Sequence, residues 1–356
     1  MSTLVFYFPG LLLFVLAAVY AERKIAAFIQ DRLGPMEVGY RGLGQTLADM
    51  LKLLQKEAIL PAAADKRLFV LAPAWMFTTV LAAFAVLPVT ATWTGAPTAT
   101  GVLYLLAMAS LEVLGIWLAG WASNNKYARL GAMRALVQIV SYEVPLGLSI
   151  LCVVVASQTL DLQAMSWQQG GGGEGRMAPL LPYAAAAGNA CAGFWTWNVF
   201  RVPSLGLAYC IFFVASLAAC HRAPFDLPES ESELIGGHHT EYSGLRWAWM
   251  MLAEYGKMLL MALLGVILFW GSWQTPFPDW GRLRLGTWTS GAPGTWLGHC
   301  WAGSWLFAKA FVIVGIQMWI RWTFPRLRFD QLIRLCWLYL TPMALMLLLL
   351  TIGLLI

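Results

Sequence analysis

Charge is scarce in this chain. Only 12% of its 356 residues are Asp, Glu, Lys or Arg, while 60% are hydrophobic, and a surface so poor in charge does not suit water. The spacings that hold metals and nucleotides are lacking too. The six cysteines form no C-x-x-C, the four histidines (221, 238, 239 and 299) form no H-x-x-x-H or H-x-x-E-H, and neither G-x-G-x-x-G nor a P-loop occurs; nucleotide, metal and cluster chemistry are not expected here. A net charge of +5, thinly spread, gives no footprint for nucleic acid. Continuous apolar stretches such as Met343 to Ile356 exclude the alternating pattern of an outer-membrane barrel.

What is present is a series of long apolar runs, eight of them, at roughly 4–20, 69–91, 100–122, 134–156, 203–220, 245–273, 301–323 and 335–356, against the ~20 residues that a spanning helix needs. They predict an all-α fold: a polytopic membrane helical bundle of about eight transmembrane helices. The whole chain, 1–356, reads as a single integral membrane domain with long loops at 21–68 and 221–246. Counted by connection, the odd loops carry 17 Lys and Arg and the opposite side carries 4, so the odd loops are expected in the cytoplasm and both termini on the periplasmic side. The first run has no basic residue before it and Glu22-Arg23-Lys24 after it, the pattern of an anchored helix and not of a cleaved leader.

The even loops read as connections, one containing the Gly170 to Gly173 run and another rich in Gly, Pro and Trp. Their cysteines, Cys191 and Cys300, are the only ones outside the runs, and an oxidising periplasm would permit them to pair. The odd loops hold the chemistry. In the first, Gln45, Asp49, Lys52 and Lys56 recur at helical spacing opposite Leu43, Leu47, Met50, Leu51 and Leu54, an amphipathic helix that either lies among lipid headgroups or lines the mouth of a cavity. In the fifth connection, Asp226, Glu229, Glu231 and Glu233 follow Arg222 within a few residues. Helix capping accounts for two of these acids; the rest require a basic partner or a proton, and Arg23, Lys24, Arg32 and Arg41 of the first loop are candidates for the former.

Three further acids, Glu112, Glu143 and Glu254, lie inside apolar runs. Each is about 8–10 residues from the odd-loop end, or roughly 12–15 Å at the helical rise, so the three share one layer. Ionisable groups at such depth face a wet interior and commonly serve a proton or ion path. Lys257, one turn after Glu254, is expected to neutralise it.

The motifs, taken in order, resemble those of a known family. They are Ala21-Glu22-Arg23-Lys24-Ile25, Asp31-Arg32-Leu33-Gly34-Pro35, Gln45 to Glu57, Ala119 to Tyr127, Leu130 to Arg134, Ser141-Tyr142-Glu143-Val144, Arg222 to Glu233, Thr240 to Gly244, Ala253-Glu254-Tyr255, and Phe324 to Leu332. Together they look like the respiratory complex I membrane protein that is called subunit 1 in mitochondria, and its bacterial counterparts. The resemblance implies a subunit of a proton-translocating NADH:quinone oxidoreductase in the bacterial inner membrane. It implies quinone as substrate, with ubiquinone the expected form, nothing bound covalently, and FMN and iron-sulphur clusters held by partner subunits. The implied partners are the peripheral-arm subunits that bear the terminal cluster and share the quinone site, together with the other membrane-arm subunits and the lipid bilayer.

On this resemblance Arg23, Asp31 and Arg32 are expected near the mouth of the quinone chamber, and Phe225 and Asp226 line it or anchor its loops. Glu112, Glu143, Glu229, Glu231, Glu233 and Glu254 are expected to couple quinone reduction to proton movement. No catalytic residue or metal ligand is assigned. Two departures stand out: Leu338 where relatives commonly carry lysine, and Lys257 where many carry a neutral residue. The rival within the superfamily is the membrane anchor of energy-converting hydrogenases, although His239-Thr240-Glu241-Tyr242-Ser243-Gly244 looks more like the quinone-reducing branch.

Overall fold

The computed structural model describes residues 2–170, 193–228, 231–278, 285–290 and 294–354, and among these it contains helices and one isolated bridge, Pro88 with Thr94, but no strand. In chain order the helices are α1 (Ser2–Ile29), α2 (Gln45–Gln55), α3 (Lys66–Phe84), α4 (Gly101–Ala122), α5 (Lys126–Ser157), α6 (Leu162–Gln168) and α7 (Asn198–Arg201). They continue with α8 (Pro203–Ala219), α9 (Glu231–Leu234), α10 (Leu245–Phe269), α11 (Leu285–Ser290), α12 (Trp296–Thr323), α13 (Phe329–Arg334) and α14 (Thr341–Gly353).

Among the described residues, six helical stretches are long and apolar enough to cross a bilayer: α3, α4, α5, α10, α12 and the continuous stretch Phe329–Gly353. The remaining two expected runs are occupied by α1 and the shorter α8. Start signals are local: the Asp65 and Asn125 side chains accept from the Arg67 and Tyr127 amides at the heads of α3 and α5, satisfying donors that the helix itself leaves unpaired. Several boundaries differ from the sequence pattern: α3 stops at Phe84 instead of about 91, and α12 begins at Trp296 instead of about 301. At two of them charged residues are inside the helix: α1 runs on to Ile29 and carries Glu22, Arg23 and Lys24, and α5 begins at Lys126, about two turns before its apolar run. In both cases the charged turns are held by partners and need not mark a loop.

The last span contains a wide turn. Pro342 has no amide hydrogen to continue the ladder, and the preceding Leu335–Leu340 segment opens into a π-helix in which the Thr341 hydroxyl caps the Cys336 carbonyl at 2.7 Å.

Helix α10 is the axis of the bundle. It packs against α1, α3, α8 and α12, and 94% of its apolar window is buried, against 28–50% in the other five spans. Those five therefore present apolar faces outward, as helices in lipid do. The odd connections gather at one end. The Asp65 amide donates to the Ala122 carbonyl, Asn125 Nδ2 to Glu241 at 2.7 Å, and the Leu327 amide to the Pro224 carbonyl at 2.9 Å. At the other end Lys309 of α12 donates to the carbonyls of Trp270, Ser272 and Gln274 at 2.6–3.0 Å and sits 3.9 Å over the Trp197 ring, tying down the C-terminus of α10.

Candidate functional site

The interior beside α10 is polar. Glu22 of α1 is 4% exposed. Its Oε1 lies 3.1 Å from Nη1 of Arg222, Arg321 of α12 donates to the same oxygen, and the Tyr255 hydroxyl donates to Oε2 at 2.6 Å. Through Nη2, Arg222 also meets Glu254 at 3.1 Å, and its guanidinium lies 4.4 Å from the centre of the Tyr255 ring. Two carboxylates and two guanidiniums thus balance inside the protein. Burial alone would push the Arg222 guanidinium down, but the Glu254 and Glu22 carboxylates beside it hold it well above the ordinary arginine value.

Backbone geometry delivers Arg222 to this place. His221 adopts a left-handed conformation (φ 49°) just beyond α8, turning the chain, and Gln138 of α5 donates to the carbonyls of Ala218 and Phe225 at 2.8 and 2.9 Å. An amide buried in this way fixes a turn, because breaking it would leave carbonyls without donors.

A cavity of about 530 Å³ opens onto the cluster. Phe8, Leu12 and Val15 of α1, Met50 and Leu53 of α2, and Trp249 and Leu252 of α10 form apolar walls. The polar part of the lining includes Glu22, Arg23, Arg32, Asp49, Tyr255 and Arg321. A mainly apolar space with a few convergent polar groups is the form of a small-molecule site. A larger cavity of about 720 Å³ between α1 and α12 has no charged lining residue.

Of the residues expected at the chamber, Arg23 and Arg32 line the smaller cavity. Arg23 pairs with Asp49 of α2 at 2.5 Å, and Arg32 Nε donates to Gln30. Asp31 is exposed, follows α1 with φ 50° and is not among the lining residues. Phe225 and Asp226 are buried away from the cavity and fasten loops: Phe225 through Gln138, and Asp226 through Arg326 at 3.0 Å. Of the two placements open to α2, the cavity mouth is the one seen: Thr46, Asp49 and Met50 line it, while Leu47 and Leu51 are exposed.

The two acids of the run whose side chains are described, Asp226 and Glu233, find bases outside the first loop. Glu233 meets Arg134 of α5 at 2.5 Å, and this hydrogen bond holds its carboxyl below the usual carboxylate range. Glu229 and the side chain of Glu231 lie outside the described residues, as does Cys191, on which the pairing with Cys300 depends.

Two of the three intramembrane glutamates are held by buried bases. Lys257 Nζ lies 2.7 Å from Glu112 Oε2, so the lysine expected to neutralise Glu254 pairs across to α4, while Glu254 is held by Arg222. Tyr142 stands within electrostatic reach of Lys257, Glu112 and Glu143. Pro145 in α5 removes the amide that would bond the Ser141 carbonyl, which loosens the backbone beside Glu143. Glu22, Tyr255 and Arg321 are not among the expected site residues, and no spacing marks them, because the three stand on three different helices.

The chain matches the family model for NADH dehydrogenase over residues 2–352. It is 52% identical over 352 residues to the second of the NADH-quinone oxidoreductase H subunits of Cytophaga hutchinsonii, covering 98% of this chain and 96% of that one. It is also similar to the NADH-quinone oxidoreductase H subunits of Chlorobaculum parvum, at 47% identity over 94% of this chain and 86% of that one, and of Geobacillus thermodenitrificans, at 42% over 95% and 89%.

Proposed function

The chain belongs to the NADH dehydrogenase family and is a membrane subunit of NADH-quinone oxidoreductase; from that premise we propose that the cavity of about 530 Å³ is its share of the quinone-reduction chamber. The observation that carries this reading is the direct continuity of the cavity with the Glu22, Tyr255 and Arg321 cluster. The apolar walls suit an isoprenoid tail. Quinone carbonyls are acceptors only and gain negative charge as electrons arrive, and the guanidiniums of Arg23, Arg32 and Arg321 are donors that would stabilise that charge.

Electrons would come from an iron-sulphur cluster in a peripheral-arm partner seated on the odd loops, with FMN farther away in that arm. The odd loops then face the cytoplasm, eight helices span a bacterial inner membrane, and both termini lie on the periplasmic side, as the 17 to 4 division of basic residues supports. Ubiquinone is the expected substrate. Coupling would begin at Glu22 and continue through Arg222 and Glu254 to Glu112 and Glu143, a chain of ionisable groups leading from the cavity into the bundle. Replacing Arg32 by Met in an assembled complex should raise the apparent KM for quinone. Unchanged quinone kinetics would remove Arg32 from the chamber.

A further inference from the structure

The side chains of Lys257 and Glu112 are only 2% and 3% exposed. A buried ion pair contributes little net stability, because desolvating two charges costs about as much as their attraction returns. Apolar side chains of similar volume would fill the same interior space equally well. The neighbours of the pair give it another use.

Glu254 precedes Lys257 by three positions, on the same face of α10. It is held by Arg222, which also binds Glu22. Cys220, at the end of α8, lies within electrostatic reach of Lys257, Arg222, Glu112 and Glu254 together, so the two ion pairs share one neighbourhood. From α5, Tyr142 lies within electrostatic reach of Lys257 and Glu112, and Glu143 is the next residue along that helix. Helix α3 brings no titratable side chain beyond Lys66 and Arg67 in its first turn, and α1 brings Glu22, with Arg23 turned to Asp49, Lys24 to the Pro35 carbonyl, Tyr7 to the Leu87 carbonyl and Tyr20 to the Arg41 carbonyl. Helix α12 brings Arg321, already bound to Glu22, with His299, Cys300 and Lys309 toward its far end. Arg222 therefore serves two carboxylates, while Lys257 serves one and stands one turn from a second.

We propose, resting on the coupling path described above, that Lys257 exchanges carboxylate partners, leaving Glu112 for Glu254 whenever Arg222 is drawn fully to Glu22, and that Glu112 holds a proton only while Lys257 is away. The exchange balances. In one state Glu254 is paired with Arg222, Lys257 with Glu112, and Glu112 is ionised. In the other, Glu254 is paired with Lys257, and Glu112 takes up one proton in place of the departed ammonium; that proton is released when Lys257 returns. Events at the cavity, which touches Glu22 directly, are thereby converted into loading and unloading of a carboxyl on α4.

The test uses the assembled complex in proteoliposomes, with protons moved per quinone reduced as the readout. The double variant Glu112→Gln/Lys257→Met leaves no unpaired charge and keeps the packing, so it should assemble while losing proton yield per quinone. Lys257→Arg, which can change partners in the same way, should retain that yield. A double variant that pumps at the wild-type ratio overturns the exchange. In the wild-type complex, redox-induced infrared difference spectra should show a protonated-carboxyl band that shifts in Glu112→Asp. If no such band responds to Glu112, the proposal falls even where the double variant does not assemble. Loss of pumping in Glu143→Gln and Glu254→Gln, with a normal ratio in the double variant, would sink the exchange alone; normal pumping in all of them would sink the underlying path.

Discussion

Glu22 and Arg222 stand 200 positions apart in the chain and meet at 3.1 Å within it. The contact joins the first helix to the turn after α8, and both residues are nearly closed to solvent. Around it gather Tyr255, Glu254 and Arg321, so Glu22, Tyr255 and Arg321 belong both to the polar lining of the cavity and to the buried charge network.

Removing one member should be costly. Glu22→Gln leaves Arg222 and Arg321 short of a counter-charge, and losing one partner of a buried pair typically costs about 3–5 kcal/mol. The expected outcome is a subunit that assembles poorly, read as a reduced yield of intact complex on native gels. A normal yield with normal quinone reduction would show that the cluster is neither structural nor functional.

Glu143→Gln should retain assembly, because Glu143 is only half-buried and the amide preserves its shape. Proton pumping coupled to quinone reduction should fall sharply, since the titrating group is gone. Pumping at the wild-type rate and ratio in this variant, and likewise in Glu254→Gln, would mean that the proton route lies elsewhere.

The Arg134 contact with Glu233 gives a pH signature. The Glu233 carboxyl is depressed in the folded state, by the Arg134 hydrogen bond first and its charge second, so its contribution is fully present above the unfolded carboxylate range and is lost as pH falls through the lower folded value. Amide protection in α9, the exchange rate relative to that of an unstructured amide at the same pH, should therefore fall in acid, and Arg134→Gln should give the same fall at neutral pH. Protection that is indifferent to both changes would show that α9 is held by other contacts.

Gly131 of α5 lets the fifth connection approach closely. An added Cβ would lie 2.8 Å from the Gly237 Cα and 2.9 Å from the Pro228 carbonyl oxygen, both backbone atoms with little room to yield. Gly131→Ala should destabilise the protein by about 1–3 kcal/mol, as overpacking does, and lower its thermal midpoint in detergent. Gly147→Ala, where nothing lies within 4 Å, is the control and should be close to neutral.

Much of this is legible in the sequence because a bilayer imposes a length on every apolar run, and each expected run is occupied by a helix. The depth of Glu112, Glu143 and Glu254 can be counted for the same reason. Pairing cannot. Lys257 is much nearer to Glu254 along the chain than to Glu112, so sequence proximity points to the wrong partner; Arg222 already holds Glu254, and α4 presents the other carboxylate. By charge alone the first-loop bases complement the acidic run, whereas Arg134 and Arg326, distant from it in sequence, reach Glu233 and Asp226. Helix ends depart from the apolar pattern where charge does not mean water, as at Glu22, whose partners lie on segments made later in the chain.

The enclosure of α10 bears on how the protein is made. Entering lipid alone, this helix would carry Glu254 and Lys257 at a cost of roughly 2.5–3.5 kcal/mol for each charge near the bilayer centre. Synthesis runs from the N-terminus, so Glu22, Glu112, Tyr142 and Arg222 have all left the ribosome before Glu254 and Lys257 emerge. A slot with its counter-charges in place is then waiting, and α10 can pass from the insertion machinery into a protein interior instead of into hydrocarbon. Only Arg321 arrives afterwards, on α12, closing the cluster from the last open side.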